Sequence, residues 1–173
     1  MFLGGSYGGY NLLVGIGNVI YFYIIVIFWR MFITPCFIRK NTFAIRVELS
    51  KLGYENSTNN VVGDSIATTP VTSHYTTISQ KMYDDPNPNS TWSNNRIDCG
   101  RNEEMFLALA ALRKDTDKNQ WFICQEEYIS THTMDFVKVG TWQLNTQYDK
   151  LPYSLKKLWR KAKVEEIIEH FRK

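Results

Sequence analysis

The chain has 173 residues, a net charge of +3 and 21% charged side chains. That length suits one domain, or one small domain with a membrane segment, and the charge lacks the clustered basic excess that indicates nucleic-acid binding. Three cysteines are too few for a disulfide framework. Because 44% of the residues are hydrophobic while the mean hydropathy is only −0.30, the apolar residues must be concentrated in one part of the chain.

That part is the start of the chain, where no charged side chain occurs from Phe2 to Trp29. A helix needs about 20 apolar residues to cross a membrane, and aromatic residues near Arg30 suit the water interface. We therefore predict an uncleaved transmembrane anchor over 10–34. A buried core helix is the alternative interpretation. A signal peptide is disfavoured, because no basic segment precedes the run and no small-x-small cleavage site follows it.

Five residues in and before this anchor are predicted to contact a neighbouring helix. Gly4, Gly8 and Gly15 would allow two helices to approach closely. An amide inside hydrocarbon, as at Asn11 or Asn18, seeks a hydrogen-bonding partner. A flexible, glycine-rich tail is the alternative for the part before the anchor.

Two segments without a clear core follow the anchor. Residues 35–53 include the run from Phe43 to Leu49, which suits an extended segment or a short interfacial helix. Residues 54–98 are rich in Asn, Ser, Thr and Pro and have few regularly spaced apolar residues. Such a composition cannot bury enough apolar surface to fold alone. The sequence therefore predicts a polar ribbon here, either disordered or laid across the surface of a partner.

Two helices are predicted over 99–138. The segment from Glu103 to Lys114 is rich in Ala and Leu, begins with acidic residues and ends with basic ones, as the helix dipole prefers. The segment from Gln120 to about Lys138 places Trp121 and Cys124 on one face at helical spacing. Together the two segments would form an antiparallel hairpin.

A third helix, basic and amphipathic, is predicted from Ser154 to Arg172. Lysine and arginine surround its apolar stripe. Lys157, Trp159 and Arg160 are therefore predicted to contact either an anionic membrane surface or a protein partner. The alternative is a helix packed on the chain's own hairpin with a solvated basic face.

No catalytic or metal-binding chemistry is recognisable in the sequence. A zinc site needs closely spaced pairs of Cys or His, whereas the cysteines and histidines here are scattered, so we predict no metal, no cofactor and no small-molecule substrate. Cys124 with His132 could be a nucleophile and base, and the acids at 103–104 and 126–127 a catalytic pair. A core cysteine and solvated acids are the simpler interpretations. We therefore predict that the chain is not an enzyme.

One spacing indicates a family. Nine residues separate Cys99 from Leu109, and nine separate Cys124 from Met134. The pattern resembles the twin Cys-x9-Cys, or coiled-coil–helix–coiled-coil–helix, family of the mitochondrial intermembrane space, and is similar to that family's complex I accessory subunit. The resemblance covers about 99–138 and implies a helical hairpin, although Leu109 and Met134 stand where the family has its second cysteines.

Without those second cysteines, the two bridges of the family cannot form. Cys99 and Cys124 would lie at opposite ends of the hairpin, about 15 Å apart. A disulfide spans about 7 Å between Cα atoms. Both cysteines are therefore predicted to be free thiols that do not bond each other.

Taken together, these patterns predict a mainly α fold with one transmembrane helix. The predicted divisions are a glycine-rich tail at 1–9, a transmembrane anchor at 10–34, a juxtamembrane segment at 35–53, an extended polar segment at 54–98, a helical hairpin at 99–138, and a linker with the C-terminal basic amphipathic helix at 139–173.

The predicted function is a non-catalytic accessory subunit of a mitochondrial inner-membrane respiratory complex, with complex I favoured by the resemblance. Its partners would be the other subunits and the lipid bilayer, including anionic lipid. Basic residues after the anchor would place the C-terminal part in the matrix, whereas the resemblance implies the intermembrane space, which we adopt. The alternative is a single-pass viral or secretory-pathway membrane protein with a lumenal binding domain, which sugars at Asn56 or Asn89 would indicate.

Overall fold

The structure, a computed structural model, describes residues 32–57, 63–69, 73–85 and 95–172. These residues form ten strands in three sheets together with five helices. The fold is therefore mixed α/β, and the prediction of a mainly α protein is wrong. The error arises because segments predicted as a polar ribbon or as helices pair with one another as strands.

A five-stranded sheet occupies the first half of the described chain. Its order is β2-β4-β3-β1-β5, in which β1–β3 and β3–β4 are antiparallel while β2–β4 and β1–β5 are parallel. In the parallel pair, Cys36 lies opposite Ile97. The strands are β1 (Cys36–Ile38), β2 (Glu55–Asn56), β3 (Ser65–Thr69), β4 (His74–Ile78) and β5 (Ile97–Asp98).

Three helices accompany this sheet: α1 (Phe43–Leu52), α2 (Gln80–Tyr83) and α3 (Glu103–Ala110). The side chain of Thr42 caps α1 by accepting a hydrogen bond from the Ile45 N–H group. The helix ends at Gly53, whose φ of +99° is a left-handed conformation that favours glycine. Asn102 caps α3 in the same way as Thr42 caps α1.

A three-stranded antiparallel sheet, β6 (Gln120–Cys124), β9 (Trp142–Asn145) and β10 (Trp159–Lys161), forms the second half. Its order is β10-β6-β9. Between β6 and β9 the chain makes a two-stranded ribbon, β7 (Tyr128–Ile129) and β8 (Phe136–Val137). Two helices, α4 (Tyr153–Lys156) and α5 (Val164–Phe171), flank β10.

The main core contains side chains from both the five-stranded and the three-stranded sheet. Helix α3 packs on β1 of the five-stranded sheet, and α1 and α5 pack on α3. Fully buried side chains from all these elements meet there, among them Ile45, Leu49, Ile66, Phe106, Leu109 and Ile167. Two smaller clusters lie on the outer faces, one around the stacked rings of Phe37 and Tyr83 and one around Phe122, Cys124 and Trp159.

An arginine after β1 ties the five-stranded sheet to later parts of the chain. The guanidinium of Arg39 donates two hydrogen bonds of 2.8 Å to the carboxylate of Asp84. It also donates to Asp98 at 2.8 and 3.2 Å. Both hydrogen-bonded aspartates raise the pKa of Arg39 above its ordinary value, so the charge persists at every accessible pH.

The prediction of a polar ribbon over 54–98 is wrong, because this range contains β3 and β4. Both strands lie inside the five-stranded sheet. Thr68 is 0% exposed. Its hydroxyl accepts a hydrogen bond from the Cys36 N–H group at 3.0 Å and lies 3.3 Å from the Cys36 carbonyl oxygen, to which it donates. Since a buried hydroxyl with partners carries little penalty, threonine here fills interior positions rather than the solvent-facing or partner-facing ones that the sequence predicts.

The predicted helical hairpin over 99–138 is also corrected. A helix does begin at Glu103, but it ends at Ala110. The second predicted helix is replaced by β6 and the β7–β8 ribbon. A short apolar run does not distinguish a strand from a helix. In the structure, Trp121 packs against the main core while Phe122 and Cys124 face the opposite side.

The predicted third helix over 154–172 is divided by a strand. Trp159 pairs with Cys124 in β10 and β6, so only α4 and α5 are helical. Instead of one continuous helix, this range forms a short helix, an edge strand of the three-stranded sheet and a second helix.

Within the described ranges, no helix combines the length and apolarity needed to cross a membrane. Of the anchor predicted over 10–34, residues 10–31 lie outside these ranges. Residues 32–34 are not helical: Phe32 forms a β-bridge with Arg113 and is 2% exposed. The lack of a membrane-spanning helix in the described ranges contradicts the predicted single-pass inner-membrane location. We therefore do not propose that location, or the membrane and respiratory-chain roles that depend on it.

Candidate functional site

Strand β9 forms an edge of the three-stranded sheet, since among the described residues it pairs with β6 alone. The Cys124 N–H group donates to the Thr141 carbonyl at 2.9 Å. By antiparallel alternation, the peptide groups of Trp142 and Leu144 then point away from β6. Their N–H and C=O groups therefore lie where an added strand can pair with them.

A cavity of about 360 Å³ lies beside β9, between this strand and helices α1, α3 and α5. Its volume is in the range of binding pockets, and its walls are mainly apolar. We call it the apolar pocket; its apolar walls are Leu52, Leu107, Ala108, Ala111, Trp121, Leu144 and Phe171.

The charged residues of the apolar pocket are mainly acidic. Glu48, Lys51 and Glu104 take part in its lining. The Lys51 ammonium is 2.7 Å from Glu48, so those two charges offset each other. Glu104 is exposed and forms no ion pair within the described part of the chain. The pocket therefore carries a net negative charge at its surface.

An aromatic cluster fixes the side chains around the apolar pocket. The rings of Trp142 and His170 stack with centroids 4.1 Å apart. Trp121 meets Phe171 edge to face at 5.4 Å, and Trp121 lies 6.3 Å from Trp142. Contacts of this kind add to the stability gained from burial. They hold β9 against α5 and keep two walls of the pocket in place.

A second cavity, of about 700 Å³, lies between the β7–β8 ribbon and the segment 145–155. Phe122 and Trp159 line its interior, and Ser, Thr and Gln side chains form much of the remaining lining. The Trp159 indole N–H donates to the Tyr128 hydroxyl at 3.1 Å. We call this cavity the polar cleft. Leu144 lines both cavities, so β9 separates the two.

Of the eight residues predicted to contact partners or lipid, five lie outside the described part of the chain: Gly4, Gly8, Asn11, Gly15 and Asn18.

The structure places the other three on or near β10. Trp159 is 6% exposed, contacts the chain's own core and lines the polar cleft. Arg160 forms an ion pair with Glu166. The Lys157 ammonium lies 5.6 Å from the centre of the Tyr153 ring. Of these three residues, only Trp159 lines one of the two cavities.

The residues considered for catalysis are not brought together. Cys124 is 1% exposed, and its thiol donates to the Glu126 carbonyl at 3.0 Å. His132 lies in the exposed turn of the ribbon and lines the polar cleft, which Cys124 does not. Glu103 forms an ion pair with Lys40. In the described ranges, no group of three or more His, Cys, Asp or Glu is placed to hold a metal ion.

The residues of β9 lie in the range that the sequence predicts to be a linker, so they were not among the predicted site residues. A signal was present, because Trp142, Gln143, Leu144 and Asn145 alternate between apolar and polar. That period of two is typical of a half-buried strand. The contributions of α1 and α5 to the pocket depend on tertiary packing, which no local pattern encodes.

No protein-family model matches the chain, no curated protein is significantly similar to it, and no solved structure matches its fold.

Proposed function

We propose that this chain is a non-catalytic interaction module that binds an extended segment of a partner protein along the edge of β9. The observation that carries the proposal is the position of Leu144. It lies on an edge strand with outward-facing peptide groups, and it lines a cavity on each side of that strand. An extended peptide added to a sheet edge gains affinity from main-chain hydrogen bonds and specificity from pockets for alternate side chains.

The apolar pocket specifies the kind of segment. Its walls would accept one large apolar side chain, because that side chain would replace water against Leu107, Trp121 and Phe171. The carboxylate of Glu104, which has no ion-pair partner among the described residues, would attract a lysine or arginine of the same segment. The proposed ligand is therefore an extended peptide with an apolar anchor residue next to a basic residue.

The environment of Cys124 supports a non-catalytic role. A nucleophilic cysteine needs access to substrate and a nearby base, whereas this thiol is buried and hydrogen-bonded to a backbone carbonyl. The candidate base His132 lies on a different, exposed segment.

The proposal can be tested by selecting linear peptides from a random displayed library on the whole chain. We expect the selected peptides to share an apolar residue beside Lys or Arg. Calorimetry would give the affinity of a synthetic peptide of that sequence. Because main-chain pairing protects amides, the N–H groups of Trp142 and Leu144 should exchange more slowly with the peptide bound, as measured by NMR.

Two matched pairs of variants sharpen this test. Leu144→Asp should weaken binding by at least about tenfold, or about 1.4 kcal/mol, whereas Ile129→Asp, at an exposed apolar position on the ribbon, should not. Glu104→Lys should weaken binding, while Glu165→Lys, at another helix start, should change it little. Peptides that bind Leu144→Asp as tightly as the unchanged protein would refute the proposal.

A further inference from the structure

We propose that the polar cleft is a second binding site, which takes a neutral, polyhydroxylated ligand of the oligosaccharide class. The inference does not require peptide binding at β9. It rests on the charge, the hydrogen-bonding capacity and the order of the side chains of this cleft, of which the peptide proposal uses only Leu144.

The charge of the cleft excludes anionic ligands. Among the described residues that line it, none is lysine or arginine. Lys150 lies in the segment 145–155 that forms one wall, and Lys156 directly follows that segment, but neither side chain lines the cleft. A phosphate or carboxylate would need a cation or a set of charge-assisted donors. Asp135 would also repel such a group. These features argue against an anionic ligand, and the uncharged side chains that form most of the lining favour a neutral one.

The cleft offers several hydrogen-bonding side chains that have no partner among the described residues. The side chains of Gln143, Thr146 and Gln147 line it and bond to no other residue that the structure describes. An amide or hydroxyl side chain both donates and accepts. Sugar hydroxyls on adjacent carbons also both donate and accept hydrogen bonds. One sugar ring can therefore form hydrogen bonds with several of these side chains. Thr131 and Thr133 add hydroxyls from the ribbon wall.

Aromatic side chains supply the apolar contact that a sugar also needs. Tyr148 lines the cleft and is 50% exposed, so its ring is available to the C–H face of a sugar. Tyr128 also lines the cleft, and its hydroxyl accepts a hydrogen bond from Trp159. Among the described residues the Tyr128 O–H has no acceptor, so it can donate to a ligand. Binding sites typically combine aromatic walls with a few placed polar groups in this way.

The wall that carries Tyr148 is held in place without a ligand. The side chain of Asn145, which is 9% exposed, donates to the carbonyls of Asp117 and Tyr148 at 2.9 and 2.8 Å. Its oxygen accepts from the Tyr148 N–H group at 3.3 Å.

The ribbon wall is ordered by its own backbone. The Ser130 N–H group donates to the Asp135 carbonyl at 2.9 Å, and the Met134 N–H group donates to the Ser130 carbonyl at 2.8 Å. A cleft with two preformed walls loses less entropy when it binds a ligand.

The test is an NMR titration of the whole chain with three neutral probes, namely cellotetraose, maltotetraose and tetra-N-acetylchitotetraose. Glucose 6-phosphate and an oligogalacturonate serve as charged comparison probes. We expect at least one neutral probe to shift the amide signals of 130–135 and 143–148 in a saturable manner. Neither charged probe should do so. If no neutral probe shifts these signals, or if a charged probe shifts them equally, the proposal is refuted.

Two variants and a control identify the site. Tyr148→Ala should weaken binding of the responding probe by about tenfold, and Gln143→Ala, which removes a single hydrogen-bonding side chain, by about three- to tenfold. Tyr153→Ala is the control, because Tyr153 is 79% exposed and does not line the cleft. Equal affinity of the Tyr148 and Tyr153 variants would refute the proposal. Gln143→Ala keeps the test valid if Tyr148→Ala does not fold.

Discussion

Gln120 shows how a single side chain completes the interior of this fold. It is 1% exposed. Its amide nitrogen donates to the carbonyls of Ala111 and Lys118, and its oxygen accepts from the Arg113 N–H group at 3.1 Å. The connection between α3 and β6 therefore has its backbone groups satisfied by a side chain from the strand that follows.

We predict that Gln120→Leu destabilises the protein by about 1–3 kcal/mol, because it leaves buried backbone groups without partners. Gln125→Leu, at an exposed position next to the end of β6, should have little effect. Urea unfolding followed by circular dichroism measures both. Equal unfolding midpoints for the two variants would show that these hydrogen bonds do not stabilise the fold.

The ion pair between Arg160 and Glu166 makes stability depend on pH. Two hydrogen bonds from Arg160, of 2.5 and 2.8 Å, lower the pKa of Glu166 from its ordinary 4.5 to about 2. A carboxylate with a lowered pKa in the folded state stabilises that state above its unfolded pKa. The contribution is lost as the pH falls through the folded pKa.

Glu166→Gln should therefore be less stable than the unchanged protein at pH 7. The difference in unfolding free energy should shrink below about pH 4.5 and vanish near pH 2. Urea unfolding at a series of pH values measures it. Glu165→Gln, an adjacent acid without an arginine partner in the described chain, should show no such trend. A difference that stays constant with pH would contradict the assignment.

At the scale of elements, α3 links two other helices to the five-stranded sheet. It contacts α1, α5 and β1, and Leu109 is 0% exposed among them. We predict that Leu109→Ala costs about 2–5 kcal/mol, because it leaves a cavity in a packed core. Leu144→Ala, at 38% exposure, should cost clearly less. Chemical denaturation of both variants checks the ranking, and a reversed order would mean that β9 is the more tightly packed element.

Sequence patterns predicted some elements and missed others for physical reasons. The start of α3 at Glu103 was predictable, because a helix-favouring composition and first-turn acids coincide there. Strands β3 and β4 were not, since their buried threonines look like solvent-exposed residues until their hydrogen-bond partners are known.

The same limit applies to β6 and to the candidate site. The spacing of Trp121 and Cys124 fits a helix, but in β6 these side chains face opposite sides of the sheet. The alternation in β9 was visible in the sequence. The apolar pocket beside it was not, because its walls come from distant segments such as Leu52 and Phe171.

At the scale of the whole molecule, all three cysteines are free and buried. The neighbouring Cys36 thiol, together with burial, raises the pKa of Cys99 far above its usual range, so that thiol stays protonated and unreactive. We predict that a chromogenic disulfide reagent reacts slowly with the native protein. It should react with three thiols at once in denaturing urea. Rapid native reaction would mean that the cores around these residues open readily.

The parallel pairing of β1 with β5 has a consequence for how fast the molecule folds. Cys36 and Ile97 are opposite each other, and Arg39 reaches an aspartate 59 residues further along the chain. Such contacts form only after a long loop has closed, which costs entropy before any pairing compensates for it. We therefore expect this protein to fold more slowly than helical bundles, whose contacts are mostly local.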